Sequence, residues 1–170
     1  MPQAAANPLV PTASPTIEGA RVRLRAVTSA DAGALLEISI YDGDTARSEA
    51  EARAHLERIA GDQARGETVH WAIEDATTGV LVGTVGFYRG FAGEVGEVGY
   101  VLRPAHRKRG FMTEAVALAV AYGFAALDLR AVVARTDATN LGSIGVLERC
   151  GFTLAGVEHE LRTYRLDRPA

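Results

Sequence analysis

The segment Tyr100-Val-Leu-Arg-Pro-Ala-His-Arg-Lys-Arg-Gly-Phe-Met-Thr-Glu-Ala115 carries the reading of this chain. An apolar run stops at Pro104, a basic loop follows, and beyond Gly110 the residues take helical spacing. The first amides of a helix have no partner within it and sit at the positive end of its dipole, which makes a ready anion site. Gly110 lets backbone approach a phosphate with no side chain in the way. Arg107, Lys108 and Arg109 bring positive charge to the same loop, so a diphosphate is the natural guest. No Gly-Lys-Ser/Thr follows, which sets aside the P-loop pattern, and the later glycines of the dinucleotide fingerprint are absent. The plain alternative is a solvated basic loop ahead of an ordinary helix.

Working outward, Phe111 to Ala126 is a long Ala-rich helix, Ala131 to Arg135 a short buried strand, and Asn140 to Cys150 a second helix closed by Gly151. Phe152 to Val157 and Leu161 to Asp167 read as the last strands. Upstream, Glu94 to Leu102 is a glycine-rich strand, preceded by His70 to Glu74 and Val80 to Tyr88 around the turn Ala76-Thr-Thr-Gly79. Ser48 and Glu51 form a capping box for a helix over Glu49 to Ala60. Ala32 to Ile38 is a further helix, Tyr41 to Arg47 a polar loop, and Arg21 to Val27 an alternating strand. Residues 1–16, rich in Ala and Pro, read as a disordered tail ahead of one domain over 17–170. The order predicts an α+β domain with a mixed, mostly antiparallel central sheet flanked by helices.

Bulk properties narrow the function class. The net charge of −3 argues against direct nucleic-acid binding. A single cysteine, Cys150, precludes an intrachain disulfide, and no apolar run reaches the length of a membrane span. Met1 to Pro15 lacks the features of a signal peptide, so the expectation is cytoplasmic, with no membrane partner. The basic residues are 17 arginines and one lysine, a bias that reads as genome composition. His55, His70, His106 and His159 have no paired spacing, and no metal site is expected.

These motifs together resemble the GNAT superfamily of N-acetyltransferases. Its cofactor signature, Arg/Gln-x-x-Gly-x-Gly/Ala, is met by Arg107 and Gly110, with Met112 departing at the last place. Gly110-Phe-Met-Thr-Glu-Ala115 and Glu97-Val-Gly-Tyr100 are similar to the ribosomal-protein N-terminal (alanine/serine) acetyltransferase branch. Asn140, Ser143 and Gly151-Phe152, the opening Arg-Leu-Arg strand and Asp31 also match, and the similarity covers about residues 17–168.

The resemblance implies a splay between the two central strands that takes the pantetheine of acetyl-CoA. Backbone groups of Tyr100, Val101 and Leu102 would pair with it. Arg107, Lys108, Arg109, Gly110, Phe111, Met112 and Thr113 would hold the pyrophosphate, and Asn140 and Ser143 would meet the cofactor near its sulfur. Asn140 equally suits a plain helix cap. The reaction implied is attack of a neutral amine on the thioester, with Glu97 as base, an amide near Val101 for the oxyanion and Ser143 as acid. Glu94 is the weaker rival base, and Glu97 has a surface-carboxylate alternative. Where many relatives place an acidic tyrosine, this chain has Leu147. Trp71, Tyr88 and Phe91 line the acceptor pocket or belong to the core. Cys150 reads as an inert buried thiol.

The acceptor implied is a protein N-terminus, such as that of a ribosomal protein. The same cofactor residues would serve a transferase for a small amine (antibiotic, polyamine or amino acid). A non-catalytic acyl-CoA sensor is the reading that Leu147 favours. Acidic residues at Asp42, Asp44, Glu94 and Glu97 would attract a cationic acceptor of either sort. A homodimer is left open.

Overall fold

A computed structural model describes residues 4–170. Ten strands and four α-helices form, in order, β1 (Ile17–Glu18), β2 (Val22–Ala26), α1 (Ala32–Leu35), β3 (Ile40–Tyr41), β4 (Asp44–Thr45), α2 (Glu49–Ala64), β5 (Val69–Asp75), β6 (Leu81–Tyr88), β7 (Val95–Leu102), α3 (Phe111–Ala126), β8 (Ala131–Asp137), α4 (Leu141–Arg149), β9 (Thr153–Glu158) and β10 (Leu161–Asp167). Eight strands make one sheet in the order β1-β2-β5-β6-β7-β8-β10-β9, and every pair is antiparallel except β7–β8. The α+β class matches the expectation; the observed order adds β1 and the β3–β4 hairpin to the expected elements. The helix expected over Ala32 to Ile38 is instead one α-turn flanked by 3-10 turns. The expected loop from Tyr41 holds the small β3–β4 hairpin, whose Asp42-Gly43 turn takes positive φ at both residues.

Strand alternation sorts the side chains onto two faces. On β5, Val69, Trp71 and Ile73 enter the main core against α3, while Ala72 packs with Leu35 and Ile38 toward the α1–α2 side. Trp71 is fully buried, edge-on to Tyr122, and its indole N–H donates to the Pro15 carbonyl at 2.9 Å. It therefore does not line an acceptor pocket, and Phe91, buried against Phe87, does not either.

The segment expected to be a disordered tail is laid against the domain over residues 4–16; residues 1–3 lie outside the described part. Asn7 donates to the Leu127 carbonyl at 2.8 Å, and the Phe91 amide donates to the Ala5 carbonyl at 2.8 Å. Ser14, buried, donates to the His70 carbonyl at 2.6 Å. These pairs satisfy backbone groups at the ends of β5, β6 and α3, which a composition-based reading of the tail does not register.

Glu114, in the first turn of α3, accepts from the amides of Ala20, Arg21 and Val22 at 3.0, 2.7 and 2.7 Å. One carboxylate thus ties the β1–β2 turn to the start of α3, where the helix dipole also favours negative charge. Glu114→Ala should lower stability by about 2 kcal/mol, because three amides lose a charged acceptor. The shift of the urea midpoint checks this.

His70 is 7% exposed on the α2 side of the sheet, and burial lowers its pKa from 6.5 to about 4. The unfolded chain then takes up this proton before the folded chain does. The His70 contribution is complete above pH 6.5 and is lost as pH falls toward 4, by roughly 3 kcal/mol. Unfolding free energies measured between pH 7 and 4 should fall less steeply in His70→Gln than in the parent.

Candidate active site

β7 and β8 pair over three rungs only: Val95↔Ala131, Gly96↔Val132 and Glu97↔Val133. Beyond Glu97, β7 continues through Val98–Leu102 beside β6, while Ala134–Asp137 of β8 pair with β10. The sheet therefore opens between its two central strands from Val98 onward. Backbone groups of β7 that face the gap have no strand partner, which is the condition for pairing with an extended ligand.

The gap runs into a cleft of about 480 Å³ lined by Tyr100, Val101, Leu102, Arg107, Lys108, Gly110, Phe111, Met112, Thr113, Asn140 and Ser143, all expected from the sequence. Gly110 caps α3 with φ of +79°, so no side chain occupies the opening amides of the helix. Lys108 also takes a left-handed φ of +60°, which turns the loop tightly between the 3-10 turn at Pro104–His106 and Gly110. Its side chain and that of Arg107 face the cleft.

Arg109 does not: its guanidinium stacks over the Phe111 ring at 4.8 Å and reaches Asp75 at 3.9 Å. The third cation at the cleft is Arg149 on α4, whose Nε donates to the Thr113 hydroxyl at 3.2 Å. No sequence signal marks Arg149, which lies eight residues past the start of its helix. Only packing of α4 beside α3 brings it to the α3 end of the cleft.

At the other end of the cleft, the Tyr100 hydroxyl lies 2.8 Å from Ser143 Oγ and donates to the Ser143 carbonyl at 3.3 Å. Burial pushes Tyr100 up to about 12, so it is a phenol at neutral pH. Its side chain thus reaches α4, in addition to any backbone role. Asn140 caps α4, its side chain accepting from the Ser143 amide at 3.1 Å. Leu147 is fully buried in the core.

Glu97 lies at the last paired rung and faces away from Tyr100, on the α1–α2 side with Gly99 and Val101. Its side chain is 21% exposed, and Arg135 approaches it from β8 at 4.0 Å. Glu94 is exposed in the turn before β7, roughly 10 Å along the chain from Glu97, and is not brought to the splay. Tyr88 is brought there: it pairs with Glu97 across β6–β7. Burial raises the Cys150 thiol, whose sulfur lies 3.4 Å from the Thr113 carbonyl, as suits a structural cysteine. Among the described residues, no group of three His, Cys, Asp or Glu side chains is placed to hold a metal, and no helix is long and apolar enough to cross a membrane.

Comparison with known proteins agrees with this geometry. The sequence matches the acetyltransferase (GNAT) domain family over residues 21–153. It is 32% identical over 158 residues to the uncharacterized N-acetyltransferase YoaA of Bacillus subtilis, covering 88% of each chain. Among solved structures it resembles RimL, a ribosomal L7/L12 alpha-N-protein acetyltransferase in complex with coenzyme A, with a TM-score of 0.80, 20% identity and coverage of 90% of this chain and 98% of the other. It also resembles the Mycobacterium smegmatis RimJ complex, with a TM-score of 0.75, 20% identity and coverage of 86% and 81%. The splay, the basic loop ahead of α3 and the family match identify the chain as an acetyl-CoA-dependent acyltransferase belonging to the GNAT family.

Proposed function

We propose that the chain acetylates the α-amino group of a peptide or protein, such as a ribosomal protein, in the cytoplasm. The observation that carries this reading is the placement of Glu97 at the apex of the splay, on the face opposite the cofactor cleft. Acetyl-CoA supplies an activated acetyl group whose thioester is met through the gap. Arg107, Lys108, Arg149 and the open amides of α3 hold its phosphates, and β7 backbone from Tyr100 to Leu102 pairs with the pantetheine.

On the acceptor face, Glu97 takes the proton of the incoming amine. A carboxylate is a weak base, so an acceptor already partly neutral asks least of it. An α-amine, with a pKa of about 8, is roughly a quarter neutral at pH 7.5, whereas an aliphatic amine near 10.4 is neutral in about one molecule in a thousand. The rim supports the same acceptor: β9 and β10 are joined by a turn of two residues, and β9 is exposed along its length, which leaves the side open to a chain end. Ser143 is the donor to the departing sulfur. The Tyr100 phenol holds that hydroxyl from β7, in a protein whose α4 carries Leu147 instead of a tyrosine.

Thiol release from acetyl-CoA, measured against peptides beginning Ala, Ser or Met and against spermidine and an aminoglycoside, should be fastest with a peptide. Release confined to the small amines would reassign the acceptor. No release with any of them, while acetyl-CoA binds, would favour a sensor. Glu97→Gln should lower kcat at least tenfold with acetyl-CoA affinity nearly unchanged; an unchanged kcat removes Glu97 as base. Tyr100→Phe, which frees the Ser143 hydroxyl, should lower kcat about fivefold, the loss of about one hydrogen bond in the transition state. Steady-state kinetics on the peptide read both.

A further inference from the structure

Strands β6 and β7 face each other at Gly86 and Gly99, two residues past the last β7–β8 rung. Neither glycine has room for a side chain. A Cβ at Gly86 would lie 2.9 Å from Cζ and from the hydroxyl of Tyr88, and one at Gly99 would lie 3.0 and 3.1 Å from Cδ2 and Cε2 of the same ring. The Tyr88 ring therefore lies across both strands, in the space that two side chains would fill. Its hydroxyl ends on His70 Nδ1, with the two rings 5.6 Å apart and inclined at 61°.

His70 belongs to β5, opposite Gly86, and is more than nine-tenths buried; its Nε2 has no hydrogen-bond partner. It lines a second cavity of about 260 Å³ with Leu56, Ile59 and Gln63 of α2 and Ser14 of the N-terminal segment. The imidazole is neutral at physiological pH, and burial raises the Tyr88 phenol above its ordinary range. Such a pair is a poor proton acceptor but a fixed neutral hydrogen bond. The strand positions under the ring are glycines, which offer no side chain to hold it, and the bond to His70 fixes its hydroxyl end.

We propose that His70 is a positioning residue for the acceptor, holding Tyr88 as the wall along which the amine-bearing chain lies beside Glu97. The inference rests on the proposal that the acceptor enters on the Glu97 face, where Tyr88 and Glu97 share a rung. His70 touches no reacting atom; it acts through the ring that it holds.

The test compares His70→Ala, His70→Asn, Tyr88→Phe and the double variant His70→Ala/Tyr88→Phe, with an Ala-initiated hexapeptide and spermidine as probes. KM and kcat for each probe, acetyl-CoA affinity by calorimetry and melting temperature are measured. His70→Ala and Tyr88→Phe should each raise KM for the probe that is turned over about fivefold or more, with acetyl-CoA affinity within about twofold. The double variant should be no worse than the worse single one, and His70→Asn, which restores a polar atom near Nδ1, should recover most of the loss. An unchanged acceptor KM in folded His70→Ala, additive effects, or an equal loss of acetyl-CoA affinity would overturn the assignment of His70 while leaving the acceptor reading intact. Absence of turnover with both probes in the parent chain would overturn the acceptor reading and His70 with it. Tyr88→Phe, which removes one oxygen, and His70→Asn carry the test if His70→Ala does not fold.

Discussion

The parting of β7 from β8 after three rungs is the constraint on which this molecule is organised. A sheet does not give up pairing in its centre without consequence, because each buried amide or carbonyl left alone costs free energy comparable to a lost hydrogen bond. Here the open backbone runs along a cleft whose far end is the start of α3 and whose near end is the Tyr100–Ser143 pair. A long, thin ligand with a polar, amide-bearing middle and an anionic end satisfies all three regions. The shape of the coenzyme is thus written in what the strands leave unpaired.

The two-residue period of β7 then divides the labour. Val98, Tyr100 and Leu102 turn toward α3 and α4, where the cofactor cleft and the main core lie. Glu97, Gly99 and Val101 turn toward α1 and α2. A register shift of one residue would turn Glu97 into the cleft and Tyr100 to the opposite face. The pairings of β7 with β6 and β8 are therefore as much a part of the chemistry as the residues themselves. The Glu114 carboxylate adds a brace, tying the β1–β2 turn to the helix whose first residues line the cleft.

Leu147 stands on α4 where the resemblance implies an acidic tyrosine. It is fully buried and packs as core. A hydroxyl reaches the same region from another element, because Tyr100 crosses from β7 to Ser143 on α4. Burial that keeps Tyr100 protonated also keeps it a donor, which suits a group that orients another hydroxyl.

What the sequence by itself determined was local: the helix after Gly110, the glycine-capped basic loop ahead of it, the alternation along β7 and the main run of strands and helices. Propensity, capping and period act between near neighbours and can be read along the chain. Trp71, Glu94 and Arg109 could not be placed that way, because which face of the sheet is wet, how far a turn lies from the splay and which carboxylate captures a guanidinium depend on packing. Arg149, the Tyr100–Ser143 pair, the His70–Tyr88 pair and the anchoring of residues 4–16 join elements far apart in sequence. Only the tertiary structure decided them, since a contact between distant segments is fixed by the shared core that brings them together and leaves no period in the chain.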